Sequence, residues 1–377
     1  MRTLNQVDIT NKKVLLRVDY NVPLDKNGDI VDDFKIRKGM PTLKYILKKA
    51  KQVLILTHMG RPEGKVDPKL KTDKLALYLM KHLTHRVTKV NDCVDVEIPD
   101  DKVVMLENVR FHREETDNDE VFATKLASLA DVYVNDAFGV SYNKHASIVG
   151  VPKVIPSCAG LLIEKEVQNL DFSKIERPFA VIIGGAKFSN KFPAINALLP
   201  KVDKLLIGGA MIFTFFKAKG YEIGKSLYEE EQVLAAKLLL NNEKIILPND
   251  VVVASEAAEN SKEETVDEDK IPRNKIGLDV GEKTIEKFKK ELKGMKTIFW
   301  NGPLGMYEID KFGKSSEALA KFLAGCKAKT IIGGGDSITV INKLELKDEY
   351  DYISTGGGAT LEFIKSGTLV GLEALKK

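Results

Sequence analysis

The stretch Phe179-Ala-Val-Ile-Ile-Gly-Gly-Ala-Lys-Phe-Ser-Asn-Lys191 decides the fold, because it runs from an unbroken apolar segment through two glycines into two lysines. Residues 179–183 show no polar alternation, which predicts a strand of a parallel sheet covered on both faces. Gly184 and Gly185 let the backbone approach a ligand closely or adopt positive φ. Ser189 is placed to cap a following helix, and Pro193 fits that helix only in its first turn. Lys187 and Lys191 are four residues apart, so on a helical path they share a side and repel one another unless an anion lies between them.

The same ending recurs in Leu205-Leu-Ile-Gly208-Gly209, Thr297-Ile-Phe-Trp300-Asn301-Gly302-Pro303, Thr330-Ile-Ile-Gly333-Gly334-Gly335-Asp336-Ser337 and Tyr352-Ile-Ser-Thr355-Gly356-Gly357-Gly358. One such turn need only be a tight loop. Five in one half of the chain describe a surface of exposed backbone N–H groups at helix starts, suited to phosphates, with a nucleotide as the natural guest.

The first half repeats a different theme, in which a short Val/Ile/Leu-rich run ends in charged or amide side chains. Residues 14–16 lead into Arg17-Val-Asp19-Tyr-Asn21, residues 53–56 into Thr57-His58-Met-Gly60-Arg61, residues 103–106 into Glu107-Asn-Val-Arg110, and residues 132–134 into Asn135-Asp136. Helical spacing over 42–51, 75–83 and 121–129 separates these runs, so the alternation is βαβα and the sheet parallel. Ligands of such sheets bind beyond the carboxyl ends of the strands. Asp19, Asn21, His58, Arg61 and Arg110 are therefore expected on one face, where basic groups with one Asp and one Asn suit a small polyanion bearing hydroxyls. Arg37 follows a turn at 27–29 and precedes a helix, and taken alone it says little. Residues 158–171 have helical apolar spacing and read as a connecting helix, whereas the charged run 255–275 reads as a solvated loop or exposed helix.

A chain of 377 residues exceeds the size at which one core stops growing, so two domains are expected. With 58 basic and 54 acidic residues the net charge is only +4, which makes no demand for nucleic acid. Three scattered cysteines, Cys93, Cys158 and Cys326, argue against a disulfide framework and against a zinc site, and suit a reducing cytoplasm. The first ten residues lack the apolar core of a signal peptide, and no apolar run is long enough to span a membrane. There is no Gly-x-x-x-x-Gly-Lys-Ser/Thr loop and no early Gly-x-Gly-x-x-Gly, which speaks against a P-loop or a dinucleotide site.

Together the two themes closely resemble the phosphoglycerate kinase family, over essentially the whole chain. The matching motifs are Arg17-Val-Asp-Tyr-Asn-Val-Pro23, with Tyr20 where Phe is usual, His58-Met-Gly-Arg-Pro62, Leu106-Glu-Asn-Val-Arg-Phe-His112, Gly184-Gly-Ala-Lys187, Trp300-Asn-Gly-Pro303, Gly333-Gly-Gly-Asp-Ser337 and Ser354-Thr-Gly-Gly-Gly358. The resemblance implies an α/β chain with two doubly wound, Rossmann-like parallel-sheet domains. They would comprise residues 1–157 for 3-phosphoglycerate and 173–358 for nucleotide, joined by an interdomain helix at 158–172, with residues 359–377 returning to the N-terminal domain. It further implies reversible phosphoryl transfer from 1,3-bisphosphoglycerate to ADP, with Mg2+, by a cytoplasmic monomer that acts by hinge closure and engages neither nucleic acid nor membrane.

Carried over residue by residue, the resemblance assigns Asp19, Asn21, Arg37, His58, Arg61 and Arg110 to the acid, with Asn143 and Lys144 beside them. Arg37, Lys187, Gly334 and Gly357 would act on the group in transfer. The nucleotide set would be Gly185, Ala186, Lys187, Lys191, Gly208, Gly209, Gly277, Leu278, Asn301, Gly302, Pro303, Leu304, Glu308, Gly335, Asp336 and Ser337, with Glu308 on the ribose and Asp336 near the metal. Two departures stand out. Asn143 occupies the place of an arginine that grips the phosphate of the acid, with adjacent Lys144 as a partial substitute, and Asn190 replaces an aspartate common between the two lysines. Three rivals follow: a dehydrogenase, a two-lobed solute-binding protein, and a family member that binds nucleotide with impaired turnover because of Asn143.

Overall fold

The structure is a computed structural model that describes residues 1–376. The chain divides into two compact units, Met1–Gln168 with the chain from Gly367 onward, and Asn169–Ser366. Each is built on a six-stranded parallel sheet. In the first, β1 (Lys13–Arg17), β2 (Gln52–Leu56), β3 (Val87–Lys89), β4 (Val103–Met105), β5 (Val132–Asn135) and β6 (Ser157–Ala159) lie in the order β3-β4-β2-β1-β5-β6. The central strands are buried along almost their whole length, which is why they read as continuous apolar runs. The chain from Gly367 closes on this unit through the Gly371 N–H, which donates to the Ser141 carbonyl at 2.8 Å, and through Leu375, whose carbonyl accepts the Arg2 N–H at 3.1 Å.

The second unit contains β7 (Phe179–Ile183), β8 (Lys204–Ile207), β9 (Ile245–Ile246), β10 (Asp250–Ala254), β11 (Glu264–Asp267), β12 (Ile276–Val280), β13 (Thr297–Asn301), β14 (Lys329–Gly333) and β15 (Tyr352–Ile353). Its parallel sheet has the order β15-β14-β13-β7-β8-β9. The chain leaves β7 for β8 on one side and returns as β13 on the other, so the switch of direction falls between β7 and β13, where such sheets bind ligands. The turn at Gly184 and the Asn301-Gly302 turn sit at that point. All five glycine-ended runs of the sequence are strands of this one sheet.

Several local expectations give way to tertiary context. The charged run 255–275 is not a plain loop or helix, since it contains β11, which pairs antiparallel with β10 at the edge of a small sheet completed by β12. Backbone pairing to a neighbouring strand there outweighs a charged composition. Cys158 lies in β6, and the connecting helix begins only at Leu161, running to Leu170. Arg37 does not precede its helix but lies inside it, because the helix Phe34–Leu47 starts eight residues before the apolar spacing at 42–51. In the helix Phe188–Leu198 the N-cap position is Lys187 rather than Ser189, and Pro193 falls in the interior rather than the first turn. The helix Gly357–Ser366 belongs to the second unit, so residues 359–366 stay with it.

Candidate active site

In the first unit, polar side chains collect at the carboxyl ends of four strands. Asp19 and Asn21 follow β1, His58 follows β2, Arg110 lies in the short turn Val109–Phe111 after β4, and Asp136 follows β5. Asn21 Oδ1 accepts the Gly60 N–H at 2.9 Å and Arg110 Nη1 donates to the Gly60 carbonyl at 2.8 Å, so Gly60 is clamped between them. Lys35 Nζ donates to Asp19 Oδ2 at 2.8 Å, and Asp19 Oδ1 stands 3.9 Å from His58 Nε2.

A buried network supports this group from behind. Arg17, fully buried, donates through Nε to Ser147 Oγ at 2.9 Å and sets Nη2 3.3 Å from His58 Nδ1. Ser147 in turn donates its hydroxyl to Glu115 Oε1 at 2.6 Å and its N–H to Glu115 Oε2 at 2.8 Å. Burial, then Arg17 and Arg110, holds the His58 pKa well below its ordinary value, and burial with Arg110 and Arg17 brings His145 down to about 4. Both imidazoles are neutral near pH 7, which leaves the positive charge on guanidinium groups. Arg110 is itself pushed down by burial and by Arg17, an effect that Glu115 and Asp19 oppose and Arg61 adds to. Like charges gathered this closely favour an anion in their midst.

The remaining acid-side candidates lie further out. Arg61 and Lys144 are exposed and Asn143 is half-buried, with its N–H on the Val140 carbonyl at 3.0 Å. Arg37, also exposed, donates from Nε to Asp33 Oδ1 at 2.7 Å, and Asp33 Oδ2 accepts the Tyr78 hydroxyl at 2.7 Å. It stands two residues from Lys35, on the same helix.

In the second unit two adjoining cavities open at the ends of β7, β8, β13 and β14. One of about 340 Å³ is largely apolar, lined by Gly209, Phe213, Gly277, Leu278, Pro303, Leu304 and Glu308 among others. The other, about 660 Å³, is lined by Lys187, Lys191, Asn301, Gly302, Gly334, Gly335 and Gly357 among others. They share Gly185, Ala186 and Asp336. Lys191 Nζ donates to Asn301 Oδ1 at 2.6 Å, and burial lowers its pKa to about 8 although Asp336 pulls it upward. Two candidates line neither cavity. Gly208 packs under Leu304, and Ser337 is fully buried with its Oγ accepting the Gly302 N–H at 2.7 Å.

A family model described as phosphoglycerate kinase matches residues 4–367. The chain belongs to the phosphoglycerate kinase family. It is 45% identical to the phosphoglycerate kinase of Pelotomaculum thermopropionicum over 388 residues, which covers 99% of this chain and 98% of that one. It is also 45% identical over 392 residues to that of Nostoc sp., with 99% and 98% covered. Among solved structures it is similar to the phosphoglycerate kinase of Coxiella burnetii, with a TM-score of 0.88 at 36% identity and coverage of 99% and 98%. That of Pyrococcus horikoshii gives 0.86 at 29% identity, with 100% and 98% covered. Family membership makes the chain a phosphotransferase, and nothing in these comparisons favours the turnover-impaired alternative.

The donor set where the two cavities meet suits a hard cation. Asp336 is an exposed carboxylate shared by both cavities, with the Tyr307 hydroxyl on Oδ1 at 3.2 Å, and neither cavity is lined by a described thiol or imidazole. Magnesium binds through one or two carboxylates plus substrate phosphates, which matches this arrangement. Asp92, Cys93 and His112 also lie close together, but His112 Nε2 is already 2.6 Å from Asp92 Oδ1 and burial drives the Cys93 thiol far up from its ordinary pKa. That group is a hydrogen-bonded pair beside a protonated thiol.

Sequence reasoning did not single out Arg17, Lys35, Glu115, His145 and Ser147, which gather with the candidates of the first unit, or Phe213, Leu227 and Tyr307 at the apolar cavity. Arg17 carried the same signal as Asp19, a charge at the carboxyl end of a buried strand. The others come together only through long-range folding.

Proposed function

We propose that the chain transfers a phosphoryl group reversibly from 1,3-bisphosphoglycerate to ADP, giving 3-phosphoglycerate and ATP. The observation that carries this reading is Lys191, held by Asn301 at a glycine-lined cavity that shares Asp336 with an apolar one. The apolar cavity suits a base and ribose, with Leu278 and Leu304 along its wall and Glu308 at the sugar. The glycine and lysine cavity suits the phosphates. On the other unit, Asp19, Asn21, His58, Arg61 and Arg110 bind the acid.

The nucleophile is an ADP phosphate oxygen in one direction and a carboxylate in the other, both already anionic, so no general base is required. Catalysis reduces to in-line positioning and neutralisation of charge on the group in flight. In this reading Arg37, Lys187 and the N–H groups of Gly334 and Gly357 supply that neutralisation, while Lys191 holds the nucleotide. Magnesium, bound at Asp336, would supply further charge stabilisation at the phosphate oxygens.

Acid and nucleotide are assigned to different units, so transfer calls for hinge closure, which also excludes water from the acyl phosphate. The helix Leu161–Leu170, which contains the boundary at Gln168 and Asn169, is the proposed bending point, whereas residues 355–358, expected from the sequence to bend as well, lie within the second unit. Scattering profiles that stay identical with and without both substrates would contradict closure. Lys144 is proposed to replace part of the charge lost with Asn143. A cytoplasmic monomer is the proposed working form, and the free thiols of Cys93, Cys158 and Cys326 suit a reducing compartment. A coupled assay with 3-phosphoglycerate and ATP, with and without magnesium, tests the whole. Turnover dependent on all three supports it, and nucleotide binding without turnover overturns it.

A further inference from the structure

The segment 225–229 runs from the apolar cavity to the start of the helix that carries both lysines. Ser226 Oγ accepts the Gly277 N–H at 2.9 Å, and Leu227, 54% exposed, lines the cavity beside Gly277 and Leu278. Two residues on, the Glu229 N–H donates to Thr214 Oγ1 at 3.2 Å. The Glu229 carboxylate then meets the first turn of the helix Phe188–Leu198. Its Oε2 accepts the Ser189 N–H at 2.9 Å and its Oε1 the Ser189 hydroxyl at 2.5 Å. The Phe188 N–H and the Lys187 charge also act on it.

This arrangement answers a local deficit. The first N–H groups of a helix have no partner within it, and Lys187 at the N-cap position provides no side-chain acceptor. Glu229 provides one from forty residues away in the sequence. An acidic group is also the favourable charge at a helix N-terminus. The same side chain therefore holds the first turn of the helix that follows Lys187 and contains Lys191.

We propose that Glu229 is a positioning residue that sets the start of the lysine-bearing helix and, through Leu227 and Ser226, ties that setting to occupancy of the apolar cavity by the nucleotide base. The proposal rests on the nucleotide reading of that cavity. Base binding against Leu227 shifts or stiffens the segment, Glu229 transmits the change to the Phe188 and Ser189 amides, and Lys187 is brought into position for transfer.

Adenosine, which has a base and ribose but no phosphate, separates the two ideas in an amide NMR titration of the whole wild-type chain. The expected result is movement of the Gly277 and Leu278 resonances together with those of Phe188 and Ser189. Movement of Gly277 and Leu278 alone overturns the link and leaves the nucleotide reading intact. If neither set moves at saturating adenosine, the nucleotide reading fails and the proposal falls with it. In kinetics, Glu229→Ala is expected to lower kcat about tenfold with the KM for 3-phosphoglycerate unchanged. Glu229→Asp, which keeps the carboxylate, should recover part of the loss. An unchanged kcat in Glu229→Ala overturns the positioning role, and if that variant fails to fold the wild-type titration decides.

Discussion

Gly184 and Pro303 approach so closely that no β-carbon fits between them: a Cβ on Gly184 would lie 2.0 Å from the Pro303 carbonyl oxygen. The contact joins the ends of β7 and β13, where the Gly184 N–H donates to the Asn301 carbonyl at 2.9 Å and the Gly185 N–H to the Pro303 carbonyl at 3.0 Å. Backbone atoms on both sides leave nothing flexible to yield. Gly184→Ala should therefore be severely destabilising, by about 4 kcal/mol or more, read as a fall in the denaturant midpoint. Gly335→Ala, where a Cβ meets open space, should leave that midpoint unchanged.

Lys191 gives a pH signature. Its pKa, lowered to about 8 by burial, means that the charged form available to a phosphate declines as pH rises through 8. ADP should bind progressively more weakly from pH 7 to 9, and Lys191→Met should bind weakly throughout without that inflection. Titration calorimetry checks both. The sign for stability is opposite, because the unfolded lysine keeps its proton up to about 10.5, so between 8 and 10.5 the unfolded state binds more protons and this group favours folding increasingly as pH rises.

Arg37 and Lys187 are both exposed side chains, so their removal tests chemistry rather than packing. Arg37→Ala and Lys187→Ala should each lower kcat by about 10²–10³, the usual cost of deleting one preorganised donor to a transition state. Thermal unfolding should be little changed. A defect confined to substrate binding would contradict the assignment.

The parts of this protein legible in the sequence are those written locally. A buried strand ending in Gly184-Gly185 declares itself, because an unbroken apolar run and a residue without a side chain each have one main structural meaning. Repetition of that pattern in β8, β13, β14 and β15 made one sheet edge readable as a phosphate surface. Pro193 misled because local propensity places proline in a first turn, while the packing of its helix holds it further in. β11 was hidden because the short strand Glu264-Thr-Val-Asp267, set inside a charged run, is specified by its neighbour β10 and not by its own pattern. The network of Arg17, Ser147, Glu115 and His58 depends on contacts across up to 130 residues, and no spacing rule reaches that far.

Asn143 and Lys144 provide the test of the departure at the acid side. Lys144→Ala should raise the KM for 3-phosphoglycerate, and Asn143→Arg should lower it by restoring a planar, bidentate donor. An unchanged KM in both variants would end the idea that the lysine compensates for the missing arginine.

Transfer of label from [γ-32P]ATP is the most direct measurement of the central claim. With 3-phosphoglycerate present, label is expected in an acyl phosphate that hydroxylamine discharges, and its appearance should require the acid. Label that remains in ATP, or that appears only as inorganic phosphate, would contradict the account.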